Sequence, residues 1–215
     1  MRTMSRNATK TRWGRAVAAA LAGLVTIVMS AMIPCEVAEG DLFFVLADNS
    51  DDPVASATAH GNQLNANHVG IAHYRDGALT VLEAIPASGV TVTPIDTFLT
   101  RAQNRVAVAR LVDTCSVASM VERALTYMGR PYDELFMLDE QEVYCSELVW
   151  LSYIRPDGGR VFDLAPMSFH DAQGELLPYW REHYTSRGLR VPTGALGTNP
   201  SRLSASPQLK MIYIP

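Results

Sequence analysis

Cysteine is scarce in this chain: three residues in 215, Cys35, Cys115 and Cys145. So few, and an odd number, exclude a disulfide-built scaffold. A Cys35–Cys115 pair would leave Cys145 free, but three independent thiols is the favoured reading. There is no paired CxxC and no HExxH, so the usual zinc patterns are missing. His60, His68 and His73 lie close in sequence, yet residues 68 and 73 have opposite parity in one strand and point to opposite faces. No metal and no cofactor are therefore expected. The absence of G-x-S-x-G removes the serine-hydrolase elbow. No repeat of fixed period and no low-complexity run occur, which excludes solenoids and long disordered tails.

Acid is absent from residues 1–34, which hold five of the 18 basic residues: Arg2, Arg6, Lys10, Arg12 and Arg15. The remainder carries 13 basic against 22 acidic residues, a net of −9. Such a body is a poor nucleic-acid binder, because that affinity comes mainly from neutralising phosphates. It also lacks any RRM, zinc-finger or helix-turn-helix signature. The basic start leads into an uncharged apolar run, residues 16–33. That order reads as a signal peptide or an N-terminal membrane anchor, and if uncleaved the run would associate with a membrane. The expected location is extracytoplasmic, either periplasmic or anchored and facing outside the cytoplasm. Residues 1–34 are set apart from one domain spanning 40–209. At 48% hydrophobic and 19% charged residues, that domain can bury a sizeable core.

Within the domain, Gly40–Leu46 reads as a buried strand and residues 47–67 as a long polar excursion holding a short helix. His68–Tyr74 and Leu79–Ala84 flank Asp76-Gly77. Asp-Gly between two apolar runs marks a hairpin, since a type I′ turn needs positive φ at both central residues. Gly89–Pro94 and Arg105–Val112 alternate with period two, and together these strands predict an antiparallel meander. Ile95–Gln103 and Ser116–Met128 read as helices, the latter with one apolar stripe closed by Gly129 and Pro131. A further helix is expected from Cys145 to Ile154, ended by Arg155–Gly159, and a short one near 172–184.

The chemistry gathers at the hairpin and the Cys145 helix. A thiol in a first helical turn meets unpaired backbone N–H groups that stabilise its thiolate, the reactive form. Alone, this fits a packed cysteine better than a nucleophile. The hairpin adds weight. With Asp76 and Gly77 as turn residues, Tyr74 faces Leu79, His68 faces Ile85 and Glu83 faces Gly70. His68 and Glu83 then share a face as diagonal neighbours, about 7–8 Å apart at the backbone. Gly70 leaves room for the imidazole to lean toward the carboxylate. A carboxylate on one ring nitrogen fixes the tautomer that lets the other take the thiol proton. The candidates are thus Cys145 as nucleophile, His68 as base and Glu83 as orienting acid. Tyr144 is a candidate oxyanion or substrate contact beside the Cys145 N–H. Glu147 and Tyr132 are read as structural.

The segments GDLFF (40–44), NHVGIAHYRDG (67–77), VLEA (81–84), GRPYDELF (129–136) and YCSELVW (144–150) occur in an order that resembles the YiiX/YebB-like family. The closing APMSFHD, LPYW and GTNPSRLSASPQL segments are similar to that family's tail. These proteins are circularly permuted relatives of the NlpC-type papain-like peptidases. The resemblance implies an α+β fold, an antiparallel sheet packed against the helix bearing the nucleophilic Cys. It implies a Cys145–His68–Glu83 triad and hydrolysis of an amide through a thioester, with a small peptide-like or cell-wall-derived substrate. The polar stretch 47–67 departs from relatives that are more apolar there, which leaves the substrate pocket open. Two rivals remain: a lipid-directed acyltransferase or esterase of the lecithin:retinol acyltransferase-like type, and a non-catalytic binding module. An apolar groove beside Cys145 would favour the first; a narrow polar pocket with a charged end would favour the amidase.

Overall fold

The computed structural model describes residues 33–48, 52–58, 64–139, 141–171 and 173–215. The expected leader, residues 1–34, lies outside this range but for its last two residues, as do His60 and parts of the 47–67 excursion. Among the described residues no helix is long and apolar enough to cross a membrane.

The strands are β1 (Leu42–Leu46), β2 (Ala66–Arg75), β3 (Ala78–Ile85), β4 (Gly89–Pro94), β5 (Val106–Leu111), β6 (Ala165–Pro166), β7 (Leu196–Gly197) and β8 (Leu209–Tyr213). The helices are α1 (Pro53–Thr58), α2 (Ile95–Arg101), α3 (Val117–Leu125), α4 (Cys145–Ser152), α5 (Pro178–Thr185) and α6 (Pro200–Ser204). Six strands form one sheet in the order β4-β3-β2-β1-β5-β8, every neighbouring pair antiparallel. This is the expected α+β class.

The hairpin register is the expected one. Tyr74 pairs with Leu79 and Ile71 with Leu82. Asp76 and Gly77 have φ of 52° and 79°, the positive values a type I′ turn demands. The simple meander needs correction at its end. After β4 the chain does not add β5 beside it; α2 carries it back across, and β5 pairs with β1. Strand β4 is thereby one edge and β1 lies inside the sheet, with Leu42, Phe43 and Phe44 fully buried. The tail supplies more than the one helix expected: β8 closes the other edge on β5. The sheet thus continues past Leu209. Upstream of Gly40, Val37 is buried and its carbonyl accepts the Tyr74 hydroxyl at 2.9 Å.

Strand alternation divides the interior into two cores. Leu82 and Ala84 of β3, with Val69 and Ile71 of β2, pack with Leu148, Val149 and Leu151 of α4 and Met120, Val121 and Ala124 of α3. Val81, Ala72 and Phe43 face the other way, against Phe98 and Leu99 of α2. A third apolar cluster lies beyond the start of α4. There Ala57, Met167, Phe169, Trp180 and Tyr184 meet Phe136.

Candidate active site

Glu83 has the parity of Val81, so it belongs to the α2 side of the sheet, whereas the body of α4 packs on the opposite side. The site lies where the two sides meet. The pairing of β1 with β2 breaks at this point: Val45 pairs with His68 but Leu46 with Ala66, leaving Asn67 as an extra residue. Bulges of this kind re-aim side chains at strand ends. They let His68 serve a carboxylate on one side of the sheet and a thiol at the tip of a helix on the other.

Glu83 is completely buried, and both its oxygens are occupied. His68 Nε2 donates to Oε2 at 2.6 Å. Thr93 Oγ1 donates to Oε1 at 2.6 Å, and Arg101 Nη2 reaches both oxygens. Burial alone would raise the Glu83 pKa. The hydrogen bonds and charge of His68, then those of Arg101 and Thr93, outweigh it and bring the carboxyl down to about 2. For His68 burial disfavours the imidazolium, but hydrogen bonds to the Cys145 and Glu83 side chains overcome this and raise its pKa to about 9. With Nε2 held by Glu83, Nδ1 is the nitrogen left for the thiol.

Gly70 is required by this arrangement. A Cβ there would stand 2.3 Å from Val81 Cγ1 and 3.4 Å from Glu83 Cβ, so any side chain would displace the wall behind the carboxylate. His73, by contrast, points away and binds Glu39 through Nδ1 at 2.7 Å. That is the opposite orientation its parity predicts.

Cys145 is the first residue of α4 and 4% exposed. Glu147, the third helical residue, accepts the Tyr144 N–H at 3.3 Å and so caps the helix start. Cys35 is half-buried and Cys115 exposed, both as free thiols.

A narrow cavity opens beside Cys145. Tyr132, Phe136, Met167, Phe169 and Trp180 form its apolar wall, and Asn67, Ser146, Thr198 and Asn199 add polar edges. Among the described residues no Asp, Glu, Lys, Arg or His lines it. Tyr144 also lines it, and its hydroxyl accepts the Thr198 N–H at 3.1 Å, which ties the tail beside β7 to the root of α4. Phe136 adopts φ of 55°, unusual for an aromatic residue. The Asp133 carboxylate holds this bend by accepting the N–H groups of Leu135 and Met137 at 2.7 and 2.5 Å.

The structure thus brings Cys145, His68 and Glu83 together and sets Tyr144 in the cavity wall. Sequence reading missed Arg101 and Thr93. Thr93 had a signal, since the alternation in β4 puts Thr91 and Thr93 on the face toward Glu83. Arg101 had none; only the docking of α2 brings it near. Tyr132, read as structural, stands in the cavity wall.

Comparison with known proteins bears on this geometry. The model of a family described as permuted papain-like amidase enzymes, YaeF/YiiX, C92, matches residues 36–213. The uncharacterized protein YiiX of Escherichia coli strain K12 is 26% identical over 178 residues, 80% of this chain and 84% of that protein. The crystal structure of the metalloprotein YiiX from Escherichia coli O157:H7 superposes with a TM-score of 0.67. It is 22% identical and spans 82% of this chain and 97% of the other, a likeness of fold.

Proposed function

This chain belongs to the YaeF/YiiX (C92) family of permuted papain-like amidases, cysteine hydrolases by class, and on that premise we propose that Cys145, His68 and Glu83 form its catalytic triad. The observation that carries the reading is the 2.6 Å bond from His68 Nε2 to a fully buried, doubly occupied Glu83 carboxylate. It locks the imidazole with Nδ1 toward the thiol at the start of α4. His68 Nδ1 takes the Cys145 proton, and the thiolate attacks the substrate carbonyl carbon. The backbone N–H of Cys145 stabilises the oxyanion. Tyr144 is a second oxyanion or substrate contact: its oxygen already accepts from Thr198, so its own proton is available to the cleft. His68 then protonates the leaving amine as the C–N bond breaks, leaving a thioester on Cys145. Water, deprotonated by His68, hydrolyses the thioester, releasing the acid and restoring the thiol.

The substrate proposed is a small peptide-like or cell-wall-derived amide. The basic, then apolar, start of the chain supports a site outside the cytoplasm. A C-terminal alkaline phosphatase fusion that stays inactive in cells would overturn that placement. A second reading, lipid-directed acyl transfer or ester hydrolysis, draws support from the uncharged aromatic wall beside Cys145. Turnover of acyl-ester lipids with no turnover of acyl amides would select it. The Escherichia coli O157:H7 relative is described as a metalloprotein. Among the described residues no group of three or more His, Cys, Asp and Glu could hold a metal, and the steps above use the side chains of this chain alone.

Timed alkylation with iodoacetamide, read cysteine by cysteine, tests the nucleophile. Cys145 should label well ahead of Cys35 and Cys115, and His68→Ala should slow Cys145 alone. Equal labelling of all three thiols would sink the triad.

A further inference from the structure

The cavity contains an incomplete hydrogen-bonding surface. Ser146 is fully buried and Thr198 is 1% exposed, yet Ser146 Oγ and Thr198 Oγ1 have no hydrogen-bond partner among the described residues. Both residues line the same cavity as Cys145. A buried hydroxyl without a partner costs free energy, and protein interiors rarely keep one without a use. Here there are two, from segments more than fifty residues apart, at the polar edge of one pocket. The same cavity has an apolar wall that includes Phe136, Phe169 and Trp180. The rings of Phe169 and Trp180 lie 5.2 Å apart, and those of Phe136 and Trp180 5.3 Å, in edge-to-face packing.

Resting on Cys145 as the nucleophile, we infer that Ser146 and Thr198 form a subsite for an uncharged polar group, a carbonyl or amide, on a substrate whose apolar portion lies against the Phe136–Phe169–Trp180 wall. The hydroxyls meet the polar group and the rings bury its apolar neighbour. No charged side chain among the described residues lines the cavity, so an ionic group there would lose its hydration without a counter-charge from them. The substrate class is therefore a neutral amphipathic acyl compound, in which an apolar chain or ring is joined to an amide or ester. Ser146 directly follows the nucleophile, so the group it holds lies close to the scissile carbonyl.

The probe is N-benzyl-2-chloroacetamide, a neutral amide with one apolar ring, whose chloride Cys145 displaces to form a thioether. Methyl methanethiosulfonate, which has no amide for the hydroxyls, reports the reactivity of the thiol itself and serves as denominator. In Thr198→Val and, independently, Ser146→Ala, the rate ratio of the two probes at Cys145 should fall about three- to ten-fold, the worth of one hydrogen bond between neutral groups. The melting temperature should hold or rise, because each change removes a buried unpaired hydroxyl. A rate ratio unchanged in both variants would overturn the subsite. So would a lowered melting temperature in both, which would assign the hydroxyls to the fold. Failure of the underlying reading looks different: in the unsubstituted protein, Cys145 would then react no faster than Cys35 and Cys115.

Discussion

Two buried acids, Glu83 and Asp133, are treated in opposite ways. Glu83, on the α2 side, meets two cationic side chains and a hydroxyl, and its pKa falls from 4.5 to about 2. Asp133, on the cavity side, is also buried, but the groups that hold it are backbone N–H groups. Burial dominates over those bonds and raises its pKa from 3.8 to about 6. Similar burial thus yields opposite shifts, and the partners decide the sign. The contrast extends to the surroundings. Around Glu83 the polar network is complete, the condition for a rigid, pre-set base. Around the cavity two hydroxyls have no partner among the described residues, the condition for receiving a ligand.

The largest effect that would break this comparison comes from Glu83→Gln. It removes the charge that orients His68 and leaves Arg101 facing a neutral amide. Activity should fall about 10²- to 10⁴-fold, as when a triad acid becomes its amide. Stability should fall by about 2–3 kcal/mol, below the usual cost of breaking a buried pair because Arg101 is 42% exposed. Steady-state kinetics beside urea melts measures both; an active, stable variant would mean that the network does not set the base.

Gly70→Ala tests the same side sterically. The clash with Val81 should cost about 1–3 kcal/mol in urea unfolding, the usual range for overpacking. An unchanged midpoint would show that the strand can shift away. Arg101→Gln comes next. Arg101 grips Glu83 from a partly exposed position, so a three- to ten-fold drop in kcat with little change in KM is expected, partly restored by Arg101→Lys. A rise in KM alone would move Arg101 from positioning the acid to binding substrate.

The smallest effect belongs to Asp133→Asn, and its sign is opposite. An acid with a raised folded pKa favours the fold at low pH and loses that contribution as pH rises through about 6. The Asn variant keeps one acceptor for two backbone N–H groups, and its melting-temperature deficit against the parent should therefore be larger at pH 5 than at pH 8. Glu83 runs the other way: its contribution is present above 4.5 and lost as pH falls through about 2. His68, raised from 6.5 to about 9, contributes fully below 6.5 and loses that contribution as pH rises through about 9. The Glu83–His68 pair is thus most stabilising between about pH 4.5 and 6.5. The melting-temperature gap between parent and His68→Ala should be widest there and close toward pH 9. A gap that widens instead would reverse the assigned direction of the His68 shift.

Local chemistry makes half of this site legible. Asp76-Gly77 sets a two-residue turn, the turn sets the register, and the register alone puts His68 beside Glu83. The end of α4 is readable from the stop at Arg155–Gly159. Strand β8 escapes notice because its five residues lack clean alternation and follow a Pro-rich stretch, so only pairing with β5 makes them a strand. The return of β5 to β1 is equally hidden, since alternation reports which residues share a face but not which strand lies alongside.

The sequence by itself thus determined the hairpin, its register, the helix that begins at Cys145 and the family to which these motifs point. Each depends on residues within a few positions of one another, where turn geometry and strand period dominate. Tertiary structure alone decided that Arg101 completes the Glu83 network, that a bulge at Asn67 lets His68 serve both sides of the sheet, and that Thr198 stands beside Ser146. Those contacts join segments distant in the chain. Their energies come from burial and packing, which no local pattern encodes.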